Sequence, residues 1–233
     1  LDRSPPGWRR RCAAGALWRP AAGRWPNGAA TRWWLHGSLE RLDADLRRIG
    51  SRLTLRTGSS LEVLAGLVRE TGAEAIHWQR CYEPGEPGLE LRLRDQLGDA
   101  ANLRRFAGRL LFDPEIVRTG AGRPFQVFTP FWTTCQAEAP PPPPCPAPAM
   151  LATPVTWPAS ETLADWHLLP TRPDWSAGLA EAFTPGEAAA AARLEVFLDS
   201  AVHRYRSARD KPGTAGTSRL SPHLHFGEIS PRQ

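Results

Sequence analysis

At 233 residues the chain has room for one large domain or two smaller ones. Its 41% hydrophobic and 23% charged residues supply a core, which excludes wholesale disorder and a small disulfide-stapled scaffold. The net charge of +5 is almost wholly arginine, Lys211 being the single lysine, and two causes stay open: a phosphate-binding surface or a genome rich in G and C. No apolar run reaches the roughly 18 residues of a membrane-spanning helix. Leu1 to Arg11 lack the apolar centre of a signal peptide, so the expected location is the cytoplasm. Cys12, Cys81, Cys135 and Cys145 form no CxxC pair, so neither a metal site nor a disulfide framework is signalled. The sequence starts at Leu1 and stops at Ser230-Pro231-Arg232-Gln233, and reads as a cut piece.

Residues 1–28 hold Trp8, Trp18 and Trp25 among Arg, Pro and Gly without periodicity, and stay unassigned; nothing before Thr31 reads as a buried strand. From Thr31, Leu35, Leu39, Leu42, Leu46 and Ile49 recur at helical spacing, with Gly50 placed to close the helix. Arg52 to Arg56 alternates as a short strand. Ser59 with Glu62 predicts a capping box for a second helix, carrying Leu61, Leu64, Leu67 and Val68 and ended by Gly72. A strand over Ala73 to Trp78, a helix over Leu89 to Leu97 and a strand around Leu103 to Phe106 follow. This alternation predicts βαβ units on a parallel sheet.

After Trp132 the composition changes. Ala139 to Pro148 contains seven prolines in ten residues, a tract that favours extended geometry and reads as a linker, with a ligand for proline-binding modules as the alternative. Thr184-Pro185-Gly186-Glu187 predicts a helix start with threonine as cap, and Leu194, Phe197, Leu198, Ala201, Val202 and Tyr205 form its apolar face. The densest polar stretch comes last: Tyr205 to Asp210, then Gly216-Thr217-Ser218-Arg219-Leu220-Ser221-Pro222. Its hydroxyls and backbone N–H groups suit phosphate oxygens, and equally suit a turn that caps the next helix. His223 and His225, two apart on a segment poor in other ligands, read as structural rather than as metal ligands.

Tyr205, Thr217 to Pro222 and Phe226-Gly227-Glu228-Ile229-Ser230-Pro231-Arg232 together resemble the start of the flavin domain of the DNA photolyase/cryptochrome family. Arg32 to Leu39, Trp78 to Pro84, Leu110 to Pro114 and Val127 to Trp132 resemble, in order, its N-terminal antenna domain. The resemblance runs from about Ala29 to Gln233 and is to the class I type.

The resemblance implies a Rossmann-like parallel α/β antenna domain over 29–135, a linker over 136–175, and the beginning of an all-α FAD-binding domain over 176–233. Tyr205, Thr217, Ser218, Arg219, Leu220 and Ser221 fall on positions that contact FAD, and Arg209 on one that contacts DNA. Family members with this architecture repair cyclobutane pyrimidine dimers in DNA by light-driven electron transfer from reduced FAD; a cryptochrome-like blue-light receptor without repair is the alternative. The cofactor carries the chemistry, so no catalytic residue is expected within these residues and no metal is implied. Some members hold a folate through an Asn-Glu pair that corresponds here to Gly85-Glu86. Glu86 is retained and the asparagine is not, which leaves folate, a deazaflavin or no antenna pigment open. A monomer that binds dimer-containing DNA is expected, with no repair and little FAD binding from residues 1–233 alone.

Overall fold

The computed structural model describes residues 14–18, 27–80, 82, 89–154 and 156–233, with backbone alone at 14–18 and 89–90. Strand β1 (Ala14–Trp18) lies parallel to β2 (Leu53–Thr57), with Ala16 opposite Leu55, and helix α1 (Ala29–Arg48) makes the crossover. A strand therefore does precede Thr31, contrary to expectation. Ala14-Gly15-Ala16 has neither alternation nor branched side chains, so its strand character comes from pairing with β2 and not from local preference. Helix α2 (Ser60–Thr71) leads to β3 (Ala75–Gln79), which pairs in parallel with β4 (Asn102–Phe106) across helix α3 (Leu89–Leu97). The α/β class with parallel strands holds, built as two two-stranded pairs.

Two apolar clusters hold this unit. Leu39 and Leu46 of α1 pack with Leu53, Leu55, Trp166 and Leu168, while Ala65 and Val68 of α2 pack with Leu93, Leu97 and Ala101. Each fully buried leucine contributes about 1.5–3 kcal/mol. Of the predicted stripe on α1, Leu42 stays exposed and Trp34 is buried instead. Gly72 closes α2 at φ +63, as its position predicts. The Ser59–Glu62 capping box does not form: α2 has no side-chain cap bond, and the Ser59 carbonyl accepts from Val63 N–H at 2.9 Å.

The outward N–H groups of β2 are all accounted for. Leu53 donates to Asp43 Oδ1 (2.8 Å), Leu55 to Ser160 Oγ (2.8 Å) and Thr57 to Glu161 Oε1 (2.9 Å), while Leu55 O accepts from Glu161 N–H (2.9 Å). The chain after the proline tract is thus fastened along β2. Leu151 N–H donates to Ile49 O (2.8 Å), and Arg52 and Arg56 donate to the carbonyls of Pro158 and Ala159. This burial explains why Leu53, Thr54 and Leu55 are all covered, where alternation predicted one face in and one out. Thr162 and Asp165 form a reciprocal capping box on the 3-10 turn Leu163–Trp166, a start signal that the reading of this stretch as a connector passed over. The proline tract itself is exposed apart from Pro141, and it follows helix α4 (Phe128–Ala137).

Helix α5 (Ala177–Ala182) precedes α6 (Glu187–Val196). The cap of α6 is Gly186, at φ +109, and not Thr184. Pro185 is committed elsewhere: it packs on Gly37 of α1 so closely that a Cβ there would lie 2.9 Å from its Cγ. A π turn (Phe197–Ala201) and a 3-10 turn (Val202–Arg204) then separate α6 from α7 (Tyr205–Ala208). The predicted apolar face is broken there, with Ala201 buried and Leu198 and Tyr205 exposed. Helix α8 (Ser221–Phe226) ends at Gly227, φ +72. No helix among the described residues is long and apolar enough to cross a membrane.

Candidate functional site

The polar stretch singled out in the sequence folds back on the end of α7. Arg209 N–H donates to Tyr205 O (2.9 Å) and Lys211 N–H to Ala208 O (3.0 Å), which closes the helix and starts a loop. Gly216 brings that loop home. It is buried, and a Cβ on it would fall 2.5 Å from Ala208 Cβ and 2.8 Å from Ala208 O, so only glycine allows this approach.

Thr217, Ser218, Arg219, Leu220 and Ser221 follow directly. Thr217 and Ser221 are exposed, Ser218 is half-buried, and Leu220 is buried with Ala190 and Ile229. Arg219 takes φ +53 and sets its guanidinium 4.8 Å over the Phe183 ring. Helix α8 has no side-chain cap hydrogen bond, so the capping role is not what these hydroxyls do here. Three hydroxyls on an exposed turn, pressed against a helix end by a glycine and flanked by an arginine, make a donor set that fits phosphate oxygens.

Tyr205 is 41% exposed, with its ring edge-on to Phe197 (5.9 Å) and the Arg209 guanidinium 5.8 Å above it. Arg209 is exposed and pairs with the still more exposed Asp210 at 3.5 Å. Glu86 lies outside the described residues, as do Cys12 and Cys81. Cys135 is buried and Cys145 exposed, both as free thiols. The described residues contain no group of three or more His, Cys, Asp or Glu arranged to hold a metal.

Two of the quoted antenna-type segments meet beyond β3. Tyr82 donates to Asp113 Oδ2 (3.3 Å), and Arg80 pairs with Asp113 (3.5 Å) and with Glu115. Burial and the Asp113 charge push the Tyr82 hydroxyl pKa up, while the hydrogen bond from Arg80 holds the Glu115 carboxyl below its usual range.

Sequence reading missed one constellation. His223, fully buried, places Nδ1 2.6 Å from Glu228 Oε2, and Glu228 Oε1 accepts from the Trp34 indole at 3.2 Å. His225 is exposed, its carbonyl accepting from Arg109 (3.3 Å). The spacing of Glu228 five residues after His223 is a faint signal, and the partner 194 residues away gives none.

Comparison with known proteins decides the family. The model of the DNA photolyase family matches residues 14–149. The chain belongs to the DNA photolyase family. The match begins at β1, so the opening strand lies inside the family region that the resemblance had started at Ala29. A deoxyribodipyrimidine photo-lyase of Agrobacterium fabrum is 42% identical over 88% of this chain and 43% of its own length. Cryptochrome-1 of Arabidopsis thaliana is 34% identical over 93% of this chain and 32% of its own. The crystal structure of a bacterial class III photolyase from Agrobacterium tumefaciens superposes with a TM-score of 0.89 at 39% identity, covering 96% of this chain and 46% of the other. The chain thus spans less than half the length of these photolyase-family relatives.

Proposed function

We propose that this chain is the N-terminal part of a light-driven DNA repair flavoprotein that splits cyclobutane pyrimidine dimers. The observation that carries the reading is the turn Thr217 to Ser221, held against α7 by Gly216. FAD, when bound, supplies the electron that opens the dimer. The chain's own residues would bind and orient. Hydroxyls of Thr217, Ser218 and Ser221 would meet the diphosphate, Arg219 would add charge beside it, and Tyr205 would pack alongside. Arg209, exposed one turn after Tyr205, would pair with a DNA backbone phosphate and so fix register without reading sequence. The lesion would have to leave the duplex to reach the flavin, and its weakened stacking lowers that cost.

The likeness to the Agrobacterium tumefaciens enzyme supports placing the chain with class III rather than with the class I type that its motifs suggested. An antenna pigment, folate or deazaflavin, would sit in the α/β unit, with Glu86 the candidate contact. A monomer acting in the cytoplasm completes the reading. The similarity to a plant cryptochrome favours a second reading, a blue-light receptor that binds FAD without repair.

One assay separates these readings. The protein at the full length of its relatives is loaded with FAD, reduced and illuminated with a thymine-dimer oligonucleotide. Restoration of the thymines is the expected result, and flavin binding without restoration leaves the receptor. Residues 1–233 alone are expected to give no repair and little bound flavin, because one turn does not enclose a cofactor.

A further inference from the structure

Trp34 stands at the centre of a contact chain that ends in the proposed flavin turn. Its ring is 5% exposed. It lies edge-on to Phe183 (5.7 Å) and to His223 (5.0 Å), and stacks on Phe226 at 6.2 Å. Two routes run outward from it. Through Phe183 it supports the ring over which Arg219 lies. Through its indole N–H it holds Glu228, and Glu228 holds His223, which sits two residues past Ser221 on α8. Glu228 accepts from Trp34 at one oxygen and faces His223 with the other, so Nδ1 of His223 carries a proton, while its buried Nε2 has no partner.

We propose that Trp34, Glu228 and His223 form a positioning network: a helix of the α/β unit fixes the flavin turn at two points, Arg219 by packing through Phe183 and the start of α8 at Ser221 through the hydrogen bonds that hold His223, and so governs how long the cofactor stays bound. The proposal rests on the turn being a flavin site. The physical reason is that the buried Trp34 reaches the turn through Phe183 on one side and through Glu228 and His223 on the other. Carboxylate bonds buried at this depth are costly to leave unmade, so the network has one stable arrangement and transmits it.

The test uses the full-length flavin-loaded protein, with Trp34→Phe, which removes the indole donor together with part of the ring, and Glu228→Gln, whose amide would donate to Nδ1 and force the His223 proton onto the unpartnered Nε2. FAD release is timed well below the unfolding temperature, and the His223 tautomer is read by 15N NMR. The expected result is the Nδ1–H form in the wild type, and release about tenfold faster in each variant, the scale of one lost charged hydrogen bond. The double variant should release no faster than the worse single one, because both cut the same network. Lower unfolding temperatures with wild-type release rates would overturn the proposal and leave a purely structural contact. If Trp34→Phe does not fold, the near-isosteric Glu228→Gln decides alone. A wild type that retains no FAD would defeat the flavin reading itself, and the network with it.

Discussion

Gly216 and Ala208 approach so closely that no other residue fits at position 216, where a Cβ would lie 2.5 Å from Ala208 Cβ and 2.8 Å from its carbonyl oxygen. The obstacle is partly backbone, which cannot swing aside as a flexible side chain does. Gly216→Ala is expected to cost about 1–3 kcal/mol of stability, as overpacking does, and to move Thr217 and Ser218 away from the end of α7. Urea unfolding of the chain and flavin titration of the full-length protein check the two halves. Unchanged flavin affinity would separate the turn from the cofactor.

How far the sequence announces such features depends on their range. α2, α3 and the glycine that ends α2 follow from local periodicity and from the freedom of Gly72, and the structure has them there. β1 could not be read, because Ala14-Gly15-Ala16 acquires its strand only by pairing with β2. The start of α6 slipped to Gly186 because Pro185 is claimed by Gly37 of another helix. The π turn at Phe197–Ala201 is invisible to a 3.6-residue pattern, which it interrupts. Within the candidate site the hydroxyl-rich turn is local and legible. Its support by Trp34 is not, since the bond to Glu228 joins positions 194 residues apart.

Glu161 should make stability depend on acid. Its carboxylate accepts from the Thr57 hydroxyl, from Thr57 N–H (2.9 Å) and from the Trp166 indole (2.6 Å). The Thr57 side-chain bond, chiefly, holds its pKa below the usual 4.5. A carboxyl whose folded pKa is depressed contributes stability that is present above the unfolded value and is lost as pH falls through the folded one. Glu161→Gln is therefore expected to lower the urea midpoint at pH 7, by about 1–2 kcal/mol in stability. The gap to wild type should narrow below about pH 4.5. A constant gap from pH 7 to pH 3 would contradict the assignment.

Arg209→Ala is expected to weaken binding of the full-length protein to DNA uniformly across sequences. It should reduce the slope of log affinity against log salt by about one, the signature of one lost phosphate contact. The exposed pair with Asp210 is worth little to folding, so melting and flavin content should stay as in wild type. An unchanged salt slope would remove Arg209 from the DNA surface.

Gly37→Ala probes the seam between α1 and the helical segment. The added methyl would meet the Pro185 ring at 2.9 Å, and a ring fixed at φ does not yield easily. The expected cost is about 1–3 kcal/mol, read as a lower thermal midpoint. Because Pro185 adjoins the Gly186 cap, Gly37→Ala should also loosen α6, seen as faster amide exchange at Ala190, whose N–H donates to Gly186 O at 3.0 Å.

The fastening of the chain along β2 also bears on how these molecules meet one another in solution. An uncovered strand edge offers a row of donors and acceptors on which a second chain can add itself, the first step of edge-to-edge aggregation. Here the donors of Leu53, Leu55 and Thr57 are already taken by Asp43, Ser160 and Glu161. The connector that follows the proline tract, together with Asp43 of α1, therefore also seals the edge of β2 against its own copies.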